Sequence, residues 1–166
     1  MSVLVAFASR YGATRQIAQH IGAVLTVAGH DVRVRPTTAV GDLRGHEAVI
    51  LGSSVYRGRW MEQATAFAEL HQGALAERPT WLFSSGLLDA DGPASDLDRL
   101  AALLGARDRK AFEGALEVRR LDLVDRVLRL NPARRRALRQ GDFRDWAGIE
   151  GWAHQIAADL TASTLA

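Results

Sequence analysis

The chain has no cysteine among its 166 residues, and a single lysine, Lys110. Without cysteine there can be no disulfide, no cysteine-held iron–sulfur cluster and no thiol nucleophile. Long apolar runs are also missing. Polar residues interrupt each one, so no segment is expected to cross a bilayer as a helix. The opening Met-Ser-Val-Leu-Val has no basic stretch ahead of an apolar run, so a secretory signal is not expected and the cytoplasm is the expected compartment. His20, His30, His46, His71 and His154 lack metal-ligand spacing, and no metal is expected. The scattered Asp and Glu specify no glycosidase pair, and there is no serine nucleophile elbow. No catalytic proton-transfer residue stands out. A lysine-bearing Walker loop and a three-glycine dinucleotide fingerprint are both absent, which argues against ATP, GTP or NAD held in the usual loop. The net charge is only +2, carried by arginine, and without an aromatic platform it does not point to nucleic acid.

Hydrophobic residues make up 48% of the chain, enough for one domain with a sizeable core spanning 1–166. Val3–Phe7 is a short continuous apolar run, as in a strand buried on both faces. Ile17, Ala18, Ile21, Val24 and Leu25 then recur at helical spacing, and Gly29 is placed to end that helix. Strands are expected at Asp31–Arg35, Ala48–Leu51, Thr80–Phe83 and Ala111–Leu116. Helices are expected at Met61–Leu70, through Leu97, Leu100, Ala101 and Leu104, and over Asp142–Leu160. Gly52–Trp60, Ser84–Gly86 and Leu87–Ser95 read as loops. Strand and helix alternate through most of the chain, which favours an open parallel sheet covered on both faces. One stretch departs from the alternation, a basic helix-containing insertion near 119–140.

The most informative segment is Ser9-Arg10-Tyr11-Gly12-Ala13-Thr14, between the first strand and the first helix. Gly12 allows backbone to approach a ligand closely, and Ser9 and Thr14 add hydroxyls. The free N–H groups and dipole of a helix start favour a phosphate. An ordinary helix cap uses the same residue types. The second segment, Gly52-Ser53-Ser54-Val55-Tyr56-Arg57-Gly58-Arg59-Trp60, follows the third strand, where an open sheet brings a loop to its carboxyl-edge crevice. Tyr56 offers a flat surface to an aromatic ring or serves as a packed loop aromatic. Trp60 reads as the first packed residue of the next helix. Arg57 and Arg59 either meet substrate carboxylates and the negative charge of a reduced ring or simply solvate the loop. Ser84-Ser85-Gly86 gains its interest from position alone.

The order of these loops resembles the flavodoxin superfamily, carried by Ser9, Gly12 and Thr14 in the first loop and Tyr56 in the second. Tyr11 stands where many flavodoxins have threonine. The resemblance implies a flavodoxin-like α/β fold with five parallel strands in the order 2-1-3-4-5 and helices on both faces. It implies FMN as cofactor, its phosphate held by Ser9, Arg10, Tyr11, Gly12, Ala13 and Thr14. It further implies that Ser53, Ser54, Val55, Tyr56, Arg57 and Gly58 flank the isoalloxazine ring together with Ser84, Ser85 and Gly86.

A closer resemblance is to the menaquinone-dependent protoporphyrinogen oxidase family. It is carried by Ala48–Ser54 with Tyr56 and Gly58, Phe83-Ser84, Phe112–Leu116, Leu121–Leu130 and Asp145-Trp146. That likeness implies an FMN-dependent oxidoreductase passing electrons from a porphyrinogen to a quinone near a membrane. The other reading is a flavodoxin-like electron-transfer protein that docks with redox partners and has no substrate of its own. The chain departs from the enzyme family after the fourth strand, where Asp89, Asp91, Asp96 and Asp98 stand in a region that is basic there. The substrate is therefore left open. Between Glu117 and Gln140 eight arginines face three acidic residues, a local charge of +5, beside Leu121, Val124 and Leu128. Arg134, Arg135 and Arg136 could lie together on an anionic membrane, or the whole segment could be a surface helix with a solvated basic side.

Overall fold

Val3, Val5 and Phe7 point to one side of the first strand and Leu4, Ala6 and Ala8 to the other, and all are buried. That two-sided burial is what a central parallel strand requires. The computed structural model describes residues 1–56, 59–86, 96–116 and 141–165. In chain order the elements are β1 (Ser2–Ala8), α1 (Ala13–Val27), β2 (Asp31–Pro36), β3 (Ala48–Tyr56) and β4 (Arg59–Trp60). They continue with α2 (Glu62–Leu70), α3 (Gln72–Ala76), β5 (Thr80–Gly86), α4 (Asp96–Leu104) and β6 (Asp108–Glu113). The two-residue strands β7 (Ala115–Leu116) and β8 (Gly141–Asp142) precede the closing helix α5 (Trp146–Leu165).

Five strands lie parallel in the order β2-β1-β3-β5-β6. Counting only these five, the order is 2-1-3-4-5, as expected. Helices α1 and α5 cover one face, where Ile17, Ile21 and Leu25 meet Ile149, Trp152 and Ile156 over Val5, Ile50 and Phe83. Helices α2, α3 and α4 cover the other through Phe67, Leu75, Leu97, Leu100 and Leu104 against Leu51 and Leu82. Burying one large apolar side chain is worth about 1.5–3 kcal/mol, so these two layers dominate the favourable side of folding. The chain runs outward from β1 to β2 and in the opposite direction from β3 to β5. The loops after β1 and β3 therefore diverge, which opens a crevice at the carboxyl edge.

Several elements differ from the sequence expectation. Gly52–Tyr56 is strand rather than loop, because Gly52 and Ser53 pair with Phe7 and Ala8 of β1, and Ser53 and Ser54 with Ser84 and Ser85 of β5. Val55 and Tyr56 then pair antiparallel with Trp60 and Arg59, so Trp60 lies in a short strand ahead of α2. Ser84–Gly86 is likewise the end of β5, laddered to Ala111–Glu113 of β6. The last strand starts at Asp108 and breaks at Gly114, where the expectation had Ala111–Leu116. The closing helix begins at Trp146, since Asp142 pairs with Ala115 across β7 and β8. The expected loop over Leu87–Ser95 and the basic segment around 119–140, with its expected helix, lie outside the described residues.

Candidate functional site

The chain leaves β1 through Ser9 and turns at Gly12, whose φ of 93° is the left-handed backbone that glycine adopts without steric cost. The Gly12 N–H donates to Ser9 Oγ at 3.0 Å, which closes the turn. The Gln16 N–H donates to Gly12 O at 3.1 Å, so the amides of Ala13, Thr14 and Arg15 precede that helical bond at the start of α1. No side chain caps this end and no acidic residue sits in its first turn, so neither a cap nor a carboxylate of α1 itself competes with an anion there. Thr14 is fully buried and its Oγ1 has no hydrogen-bond partner among the described residues. A buried unpaired hydroxyl costs about 1–3 kcal/mol, so one beside a helix start is a candidate for a ligand contact.

The end of β3 meets this loop. The Arg10 N–H donates to Ser54 Oγ at 3.3 Å, while the Arg10 guanidinium lies over the Tyr11 ring and its Nε donates to the Tyr11 hydroxyl at 2.9 Å. The side chains of Ser54 and Ser53 alternate across the sheet. Ser53 is fully buried, donates to Ser54 O and accepts the Met61 N–H at 3.0 Å. Its hydroxyl thus serves the turn into α2. Val55 is half-buried and packs on the α2 and α4 side. Tyr56 contributes backbone pairing to Arg59, and Arg59 is exposed. Arg57 and Gly58 lie outside the described residues, as do Arg134, Arg135 and Arg136.

At the end of β5, Ser84 Oγ accepts the indole N–H of Trp60 at 2.8 Å, and both residues are nearly buried. Ser85 is 2% exposed and its Oγ has no partner among the described residues. Gly86 approaches both Val55 and Gly114: a β-carbon built on it would stand 3.0 Å from Val55 O, and the Gly114 N–H donates to its carbonyl at 3.0 Å. The ends of β1, β3 and β5 thus bring Ser9–Thr14, Ser54 and Ser85 to one edge of the sheet.

Two groups of residues escaped the sequence reading. Asp96, expected only as one of four acids in the region after the fourth strand, stands in the first turn of α4 and accepts the backbone N–H of Trp60 at 3.0 Å. Arg144, largely buried, donates to the Asp142 carboxylate and to Gln16 Oε1 in the first turn of α1, and stacks over Trp146 at 4.5 Å. That guanidinium holds the Asp142 carboxyl below its usual range. The Asp-Phe-Arg spacing is a local signal, since the Arg144 N–H also donates to Asp142 Oδ1 in a side-chain turn. Among the described residues no three His, Asp or Glu side chains form a cluster able to hold a metal, and no helix is long and apolar enough to cross a membrane.

A flavodoxin domain family model matches residues 4–129, most of the chain, and the protein belongs to that family. No curated protein matches it. Among solved structures, the rubredoxin oxygen:oxidoreductase of Desulfovibrio gigas superposes with a TM-score of 0.70 at 14% identity. That match covers 99% of this chain but only 37% of that protein. A flavodoxin of Streptococcus pneumoniae TIGR4 gives 0.64 at 21% identity, covering 96% of this chain and 99% of that one. A cysteine-to-serine mutant of the flavodoxin from Pseudomonas aeruginosa gives 0.65 at 17% identity, covering 97% and 99%. At these identities the likeness to the solved structures speaks for the fold. The family match supports the flavodoxin superfamily and does not reach the finer resemblance to protoporphyrinogen oxidases.

Proposed function

We propose that this chain is a single flavodoxin-like electron-transfer domain that holds FMN at the carboxyl edge of β1, β3 and β5. The observation that carries the reading is the buried Thr14 hydroxyl, without a partner among the described residues, at an uncapped helix start behind the left-handed turn at Gly12. In this reading the amides of Ala13 and Thr14, with the hydroxyls of Ser9, Thr14 and Ser54, bind the phosphate. The ends of β3 and β5 flank the ring, with Tyr56 stacked on it. When bound, the isoalloxazine supplies the electron chemistry. The protein's part is to orient the ring, shield one side from water and present its edge to a redox partner in the cytoplasm. Purification followed by cofactor extraction tests this. FMN is expected near one per chain, with FAD bound poorly because the loops offer no second nucleotide site. A colourless protein that takes up no FMN defeats the reading.

A second reading, an FMN-dependent oxidoreductase resembling the protoporphyrinogen oxidases, is favoured by one observation. The short strands β7 and β8, which residues 117–140 connect in sequence, pair with each other next to Gly114, itself bonded to Gly86. An addition rooted at the same edge as the flavin loops suits an enzyme better than a minimal carrier. Here Arg57 and Arg59 meet substrate carboxylates, and Arg134, Arg135 and Arg136 hold the protein at the inner face of a membrane for a quinone acceptor. Turnover of a porphyrinogen with a quinone supports this reading, and its absence in FMN-loaded protein leaves electron transfer. Binding to anionic vesicles at low salt, lost when the three arginines become glutamine, tests the membrane contact separately.

A further inference from the structure

The hairpin that continues β3 is too small to hold itself in place. It consists of two pairs, Val55 with Trp60 and Tyr56 with Arg59, and a short isolated hairpin is marginal in water. Among the described residues, three bonds to other groups hold its orientation. The Met61 N–H donates to Ser53 Oγ at 3.0 Å and the Trp60 indole N–H to Ser84 Oγ at 2.8 Å, both anchors lying within the sheet. The third bond runs from the Trp60 backbone N–H to Asp96 Oδ2 at 3.0 Å. Asp96 belongs to α4, the helix that follows β5, so this bond joins the structure after β3 to the structure after β5. The carboxylate is itself braced, with Oδ1 3.5 Å from Arg99 Nε, and Arg99 reaches Glu69 of α2 at 3.6 Å. A partly buried carboxylate accepting a backbone N–H makes one of the stronger hydrogen bonds available to a protein.

We infer that Asp96 is a positioning residue for the flavin ring, fixing through Trp60 the hairpin that carries Tyr56 relative to the end of β5. The inference rests on the flavin reading above. The bonds Asp96 makes go to Trp60 and Arg99, neither of which belongs to the Ser9–Thr14 loop, so its effect is expected on the ring and not on the phosphate.

The test compares the full-length parent with Asp96→Ala and Asp96→Asn, titrating each with FMN and with riboflavin and measuring the first reduction potential of the FMN complex. The alanine variant is expected to bind both flavins about 10-fold more weakly, with their affinity ratio unchanged, a shifted potential and faster amide exchange at Trp60. Asparagine keeps an acceptor oxygen and is expected to stay within about 2-fold of the parent. Should the alanine variant not fold, Asp96→Glu keeps the charge but displaces the acceptor, and carries the same expectation for ring affinity and potential. A folded alanine variant with parental affinities and potential overturns the inference. So does an asparagine variant as weak as alanine, or a loss confined to FMN. A parent that binds neither flavin defeats the flavin reading itself, an outcome distinct from these.

Discussion

The ring of Phe83 lies across the α-carbon of Gly52, so close that a β-carbon at Gly52 would overlap it. The two residues are paired neighbours on β3 and β5. Phe83 cannot easily swing aside, because its ring sits 6.2 Å from Phe112 and 6.3 Å from Trp152 in one buried aromatic cluster. Gly52→Ala is therefore expected to destabilise the protein by at least the ~1–3 kcal/mol usual for overpacking, read as a lower urea midpoint. Adding Phe83→Leu to the alanine variant should recover part of the loss, because the two sites are in contact and their effects are coupled.

Thr14→Val keeps the shape of the side chain and removes only the hydroxyl. Because that hydroxyl is buried without a partner among the described residues, the apoprotein is expected to melt no lower than the parent. FMN binding is expected to weaken by about 1.5–3 kcal/mol, the scale of one charge-assisted hydrogen bond, with riboflavin little affected. Tyr56→Ala should instead weaken both flavins and change the bound-flavin spectrum. Equal loss of both ligands in the valine variant would place the phosphate elsewhere.

Burial holds the His46 imidazole below its usual value of 6.5, and the charges of Arg33 and Arg78 push the same way against Asp31 and Asp42. The folded protein therefore takes up this proton less readily than the unfolded chain. The associated stability is complete above pH 6.5 and is lost as pH falls through the lower folded value. His46→Gln is expected to flatten that part of the stability profile, measured as urea midpoint against pH. An unchanged slope would assign it to other groups.

The apolar runs made an open parallel sheet covered on both faces legible, since Val3–Phe7, Ala48–Leu51 and Thr80–Phe83 are buried on both faces, whereas the strand order came only with the resemblance to flavodoxins. The strand ends were not legible. Ser53 and Ser84 read as loop because they are polar, yet their hydroxyls are satisfied by Met61 and Trp60, partners no local pattern reveals. Asp108–Lys110 was hidden for a different reason: β6 lies at the edge of the sheet, where charged residues face solvent and blunt further pairing. In the site, the turn at Gly12 followed from sequence because a strand, a glycine and a helix start are consecutive. The Asp96–Trp60 bond joins residues on different elements and could only be seen once the sheet had assembled.

Titration of the cofactor-free protein with FMN and with riboflavin, followed by quenching of flavin fluorescence, tests the central claim most directly. The account predicts saturation at one FMN per chain, with FMN bound at least 10-fold more tightly than riboflavin, about the worth of one charge-assisted bond to the phosphate. Equal affinity for the two flavins, or no binding of either, would contradict it.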